Sequence, residues 1–334
     1  MDTITRRTLE LVSANGRGVA TRLSQEAGIS RQAASGRIRR MIRDGLLVSE
    51  GATSNRVLRL AEISKTMADY QIAGLSEDIV WRELCAPVVA DLRENVRDIW
   101  HYGITEMVNN AIDHSGAKSV RVGMSRTALY SSAWVSDEGE GIFLKIQRAM
   151  DLYDPRESIL ELAKGKFTTD PVNHSGEGIF FSSKMFDAFD IRSGNLHFMH
   201  DAGELDILAE REKEDRGTLV LMRIGNASPR TTREIYDQFS SPDEYTFDKT
   251  IVPVRLAVHE GEKLVSRSQA KRLTLRFERF RHVILDFDGV NEIGQAFADE
   301  VFRVFRTAHP NTVMVPVNMT PAVMDMVKRA KPRE

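Results

Sequence analysis

Residues 104 to 116 read ITEMVNNAIDHSG, an apolar helical pattern that also carries Glu106, Asn110 and Asp113 at i, i+4 and i+7. At about 100° per residue these three fall within roughly 60° of one another, while Ile104, Met107, Val108, Ala111 and Ile112 centre on the opposite side. One face packs; the other presents two carboxylates and an amide, groups that hold cations or exchange protons. An ordinary amphipathic helix with a solvated polar face has the same pattern, so the surrounding sequence has to discriminate.

Three glycine-bearing segments follow. After the strand-like stretches SVRVGMS and ALYSSAWVS comes DEGEGI, with Asp137, Gly139 and Gly141. HSGEGIFFSSKMF places Gly176 and Gly178 just before a helix, and RGTLVLMRI opens a strand with Gly217 and Thr218. A single glycine pair marks many turns; the order and spacing of all three are more informative.

The region from about 75 to 228 resembles the GHKL ATP-binding domains shared by DNA gyrase, the heat-shock chaperone of that superfamily, MutL and histidine kinases. The boxes are E-x-x-x-N from Glu106 to Asn110, D-x-G-x-G from Asp137 to Gly141, a second glycine box at Gly176 to Gly178, and Gly217-Thr218. The resemblance implies ATP and Mg²⁺ as ligands. Glu106 is then the catalytic carboxylate that orients and deprotonates water, and Asn110 the Mg²⁺ ligand. Asp137 accepts the adenine amino group, with Gly139 and Gly141 giving the backbone close approach to base and ribose. Gly176 and Gly178 expose N–H groups to the phosphates at a helix N-terminus, and Thr218 bonds near the adenine. Asp113 extends the ligand face and matches a frequent family acid, though a structural salt bridge accounts for it equally well. His114 and His174 flank boxes and read as structural or exposed. No helix with a phosphoacceptor histidine precedes the domain and no large transducer domain follows, so neither autokinase nor topoisomerase chemistry is expected.

These residues need several cores to position them. A chain of 334 residues with 42% hydrophobic content supports two or three domains. The expected fold is multidomain α+β: a winged helix-turn-helix over 1–61, a GHKL domain with an N-terminal helical segment over 62–228, a linker over 229–244, and a small STAS-like α/β domain over 245–334. No apolar run is long enough to cross a bilayer, and MDTITRRTLELVSANG lacks the apolar segment of a secretory signal, so a cytoplasmic location without membrane association is expected. The single cysteine, Cys85, excludes an intrachain disulfide and reads as a small buried hydrophobe.

Charge is unevenly distributed. Residues 1–60 hold eleven Arg, no Lys and five acids, within a chain of net charge −2; a basic module is attached to an acidic body. TRRTLELVSA, VATRLSQEAG and SRQAASGRIRRMIRDG read as three helices, with a tight turn at Gly28 and a cap at Ser30. LLVSE and RVLRLA, flanking GATSN, read as a hairpin. In the third helix Ala34, Ile38, Met41 and Ile42 share one face, and Gln32, Gly36, Arg39, Arg40 and Arg43 the other. The segment resembles bacterial winged-helix regulators over about sixty residues, which implies DNA as a partner, with Gln32, Arg39, Arg40 and Arg43 reading the duplex.

Beyond the linker-like SPRTTREIYDQFSSPDEY, strand-like KTIVPVRLAV, HVILDFDGV and TVMVPVN alternate with helix-like SRSQAKRLTLRFERF, IGQAFADEVFRVFRTA and PAVMDMVKRA. HVILDFDGVNEIGQAFADEVFRVF resembles STAS-like domains, whose relatives include anti-sigma-factor antagonists controlled by a GHKL-type serine kinase. Those antagonists carry Asp-Ser before the helix; here Gly294-Gln295 stands there, and Gln cannot accept a phosphoryl group. Asp286 and Asp288 are simpler as turn residues than as a metal pair. The domain is therefore expected to dock a protein partner or a second copy of the chain. The expected function is an ATP-dependent DNA-binding regulator with slow hydrolysis as its switch; the alternative is a serine/threonine protein kinase acting on a separate partner.

Overall fold

The computed structural model describes residues 2–51, 55–167, 176–201, 206–240, 246–258 and 262–330. Three helices open the chain: α1 (Thr3–Ala14), α2 (Val19–Ala27) and α3 (Arg31–Arg43). Asp2 and Ser30 accept the N–H groups of Thr5 and Ala33 and so cap α1 and α3. Gly28, at φ +64°, closes α2 in the left-handed conformation that the tight turn demands. Strands β1 (Leu47–Glu50) and β2 (Val57–Leu60) pair antiparallel, Leu47 opposite Leu60; residues 52–54 of the expected GATSN turn lie outside the described residues. Leu9, Leu23, Ala34, Ile38 and Leu47 form a core of their own, against which Ala128 and Leu129 of a distant turn also pack.

No strand is expected over 64–71, yet Ser64–Gln71 forms β3, the edge of a five-stranded sheet. A helical run follows, in which α4 (Glu77–Val80) and α5 (Ala86–Val89) are joined by a π-helical stretch, and then α6 (Glu94–His114). Next come β4 (Ser119–Arg126), β5 (Tyr130–Asp137), α7 (Ile142–Met150), α8 (Glu157–Lys164), α9 (Gly178–Met185), β6 (Ala188–Asp201) and β7 (Ile207–Gly225). The sheet order is β3-β4-β5-β7-β6, antiparallel throughout. Val120, Val122 and Met124 of β4 alternate inward, as do Ala133 and Val135 of β5, and α6, α7 and α9 lie against that face. Trp100 fixes α6 to the sheet through an Nε1–H bond of 2.8 Å to Ser131 Oγ.

Gly217 and Thr218 do not open a strand; they lie inside β7, where the facing strand β6 shifts register between Ser193 and Gly194. Gly217 has φ +73°, and a Cβ there would stand 2.1 Å from Asp137 O, so only glycine lets the two strands approach at this point.

The expected linker over 229–244 carries a helix, α10 (Thr232–Phe239), closed by a Thr231–Glu234 capping box and buried through Ile235 and Phe239; residues 241–245 lie outside the described residues. The C-terminal unit is a three-stranded parallel sheet, order β10-β9-β8, of β8 (Lys249–Pro253), β9 (His282–Asp286) and β10 (Val313–Val317). Its helices are α11 (Arg267–Thr274), the run of α12 (Gln295–Asp299) and α13 (Arg306–Ala308) through a π-helical stretch, and α14 (Pro321–Ala330). Two expected elements are shorter than their sequence patterns. After Pro253 the chain turns into a 3₁₀ segment, Val254–Ala257, because proline offers no N–H to continue the ladder; α11 ends before Arg276, whose φ of +67° leaves the helical region. The central and C-terminal units share one continuous core. Among the described residues no helix is long and apolar enough to cross a membrane.

Candidate functional site

Under α6, between the helices and the centre of the sheet, lies a cavity of about 400 Å³. Glu106, Asn110, Asp137, Gly141, Gly178 and Thr218 all line it, and so does Gly176. Asp113 and Gly139 do not. Asp113 is exposed, and His114 faces the cavity. Gly139 lies behind the wall, where a Cβ would stand 2.1 Å from Ser115 O. Its N–H donates to Asp137 Oδ1 at 2.8 Å, so it orients the carboxylate rather than meeting a ligand.

Asp137 ends β5 directly opposite Thr218 of β7. The carboxylate is 7% exposed, and burial pushes its pKa up while the N–H groups of Gly139 and Thr218 pull it down; burial wins. Thr218 Oγ1 accepts the Ile142 N–H at 3.1 Å, tying β7 to the first turn of α7. Gly141, at φ +94°, makes the sharp entry to that helix, and a Cβ there would meet Ser193 Oγ at 2.5 Å.

Glu106 and Asn110 come from the middle of α6, held by the burial of Met107, Val108 and Ala111 on its other side. Glu106 lies against the N-terminus of α9: a Cβ at Gly178 would stand 1.9 Å from Glu106 Oε2. Asn110 Nδ2 is buried without a hydrogen-bond partner, a state that is costly unless a bound group completes it. Gly176 packs its Cα against the Phe167 backbone, and its carbonyl accepts the Phe167 N–H at 3.1 Å. His174 lies outside the described residues.

Several wall residues have no counterpart in the motifs. Lys145 lines the cavity one turn after Gly141, its Nζ donating to His114 O at 2.6 Å at the C-terminus of α6; a lysine one turn into the helix after D-x-G-x-G is a signal that sequence reasoning can use. Phe167 and Leu162 carry no such mark. Among the described residues no group of three or more His, Cys, Asp or Glu could hold a metal ion. Asp286 instead bonds to the Asp288 N–H at 3.0 Å and to Asn318 Nδ2 at 2.9 Å, the turn role.

The N-terminal unit presents a second candidate surface. Ala34, Ile38 and Met41 bury one side of α3, and Gln32, Arg39, Arg40 and Arg43 are exposed on the other. Other arginines are engaged within the unit: Arg7 pairs with Glu26 at 2.6 Å, Arg6 with Glu10 at 3.1 Å, and Arg22 donates to the Arg17 carbonyl at 3.0 Å. On α3 itself Arg43 stands 3.8 Å from Asp44 and Arg37 3.7 Å from Asp2. Residues 1–48 match the family model of winged helix-turn-helix DNA-binding proteins. The winged helix thus includes α1 to α3 and the start of β1. Residues 269–324 match a STAS-like domain of unknown function, a span that runs from α11 into α14. No curated protein matches the chain.

Proposed function

We propose that this chain is a DNA-binding regulator whose central unit binds Mg-ATP in the cavity beneath α6 and hydrolyses it slowly as a switch. One observation carries the reading: Asp137, Asn110, Glu106 and the N-terminus of α9, from segments far apart in sequence, converge on one cavity. Its volume of about 400 Å³ suits a cofactor-sized ligand. The donor set fits the group. A buried carboxylate is an acceptor for an exocyclic amino group, the unpartnered Asn110 Nδ2 is a donor that a phosphate oxygen would complete, and the helix N-terminus offers N–H groups to phosphates.

In this reading Asp137 accepts the adenine amino group and excludes bases lacking a donor there. Asn110 would hold the cation through its amide oxygen. Bound Mg²⁺ neutralises phosphate charge. Glu106 orients a water molecule and takes its proton. The winged helix supports DNA as the partner, with the exposed arginines of α3 meeting phosphates or guanine edges. Cytoplasmic location, a homodimer and a protein partner for the STAS-like unit belong to the same proposal.

Calorimetric titration with Mg-ATP tests it. Asp137→Asn should abolish measurable binding, whereas Glu106→Ala should keep binding and lose turnover. Equal affinity of the parent chain and Asp137→Asn sinks the assignment.

A further inference from the structure

The segment that leads into the cavity wall rests on a buried group of charges shared between α8 and the C-terminal unit. Lys164, at the end of α8, is 0% exposed, and each of its three ammonium protons has an acceptor: Glu161 Oε1 at 2.5 Å, Leu275 O at 2.9 Å and Arg272 O at 3.3 Å. Arg276 donates from Nη1 to Glu161 Oε2 at 2.9 Å and from Nη2 to Gly165 O at 2.8 Å, and also reaches Lys166 O. Thr250 of β8 donates to Lys164 O at 2.8 Å, and Arg272 pairs with Glu157 at 3.0 Å. Burial lowers the pKa of both Lys164 and Arg276, the mark of charges removed from water.

Stability alone is a poor reason for such a cluster. Buried ion pairs recover little beyond their desolvation cost, and apolar replacements of similar volume often do as well; what the charges add is a single fixed geometry. Here the geometry is fixed at the edge of the cavity. The two carbonyls held by Arg276 precede Phe167, which lines the cavity, and the Phe167 N–H is bonded to Gly176 O at 3.1 Å. The guanidinium also stands 5.4 Å from the centre of the Phe167 ring. Gly176 in turn precedes α9, whose N-terminus meets Glu106. The residues that would contact phosphates are thus reached from Arg276 through one short stretch of backbone.

We propose that Arg276 is a positioning residue for the phosphate end of the cavity, and that the STAS-like unit is thereby a structural part of the nucleotide site. The proposal rests on the Mg-ATP reading above. By clamping Gly165 and Lys166, the guanidinium sets Phe167 and Gly176 and leaves the Asp137 end to the sheet, so the two ends of a nucleotide should respond differently to its loss.

The test compares Mg²⁺ with a non-hydrolysable ATP analogue against adenosine, by calorimetry on the full chain. In Glu161→Leu/Lys164→Met/Arg276→Met the charges are removed at similar volume, but the carbonyls of Gly165, Lys166, Arg272 and Leu275 lose their donors, so a lower melting temperature is expected. Affinity for the analogue should fall at least tenfold while adenosine binds within threefold of the parent. Arg276→Lys keeps a charge but loses the fork that spans both carbonyls, and should show the same selective loss; it decides alone if the triple variant does not fold. Unchanged affinities, or equal loss for both ligands, overturn the proposal. A parent chain that binds neither ligand overturns the Mg-ATP reading itself, and this inference with it.

Discussion

Gly178→Ala isolates the contact between Glu106 and α9. The new methyl would sit 1.9 Å from Glu106 Oε2, and ordinary contact begins near 3.4 Å, so the carboxylate must retreat by about 1.5 Å. Glu106 is the far end of a flexible side chain, so the retreat should cost the fold little. Chemistry is less tolerant: a misplacement of about 1 Å can cost on the order of 10²-fold in rate, equivalent to about 2.7 kcal/mol of transition-state stabilisation. Phosphate release from Mg-ATP under saturating conditions should therefore fall about 100-fold, with a small change in melting temperature. A double-mutant cycle separates this from general damage. In a Glu106→Ala background the methyl has room, and Gly178→Ala should add no further loss. Turnover within threefold of the parent in Gly178→Ala, or losses that simply add in the double variant, would refute the reasoning.

Three other outcomes are expected. Replacing Arg39, Arg40 and Arg43 by Ala should weaken DNA binding and flatten its dependence on log salt by about one unit per lost phosphate contact; an unchanged anisotropy titration would make α3 a protein-binding face. DNA and a non-hydrolysable ATP analogue, titrated with and without each other on Glu106→Ala protein, should tighten one another by the same factor, about 5- to 150-fold; independence would mean two merely tethered activities. For Asp206, burial pushes the carboxyl up, but the His200 hydrogen bond and the Lys184 charge outweigh it and hold the pKa below its ordinary value. A carboxyl depressed in the fold contributes stability above its unfolded pKa of about 4 and loses it as pH falls through the folded value. The parent should thus lose melting temperature in that acid range and Asp206→Asn should lose less; superimposable acid profiles would exclude the link.

What could be read from the chain beforehand followed from local signals. The α6 pattern repeats every turn, the glycine boxes need only a few neighbouring residues, and the cap at Ser30 acts within three positions. β3 escaped because it is an edge strand: Lys65, Met67, Asp69 and Gln71 face out and only Ser64, Thr66, Ala68 and Tyr70 face in, which leaves no strong apolar alternation. α10 buries Ile235 and Phe239 within otherwise polar text, and the first half of β7, EREKED, has the composition of a loop. Asp113 is exposed and stands outside the cavity lining, and the Arg276 cluster joins residues more than a hundred positions apart, a pairing that no local period encodes.

The turn carrying Ala128 and Leu129, which completes the apolar core of the winged helix, leads directly into β5, and β5 ends at Asp137. At about 3.3 Å per residue the strand is a rod of roughly 23 Å with the reader seated at one tip and the buried carboxylate at the other. Both neighbours of β5 are antiparallel strands bonded along its length, so its two ends are held within one sheet. A rotation of only a few degrees at the Asp137 end would swing the far tip by more than 1 Å, by the geometry of a rod of that length. Major-groove recognition is sensitive on that scale, because bidentate contacts to base edges need hydrogen-bond distances within a few tenths of an ångström. The winged helix is thus seated at one end of a strand whose other end lines the cavity.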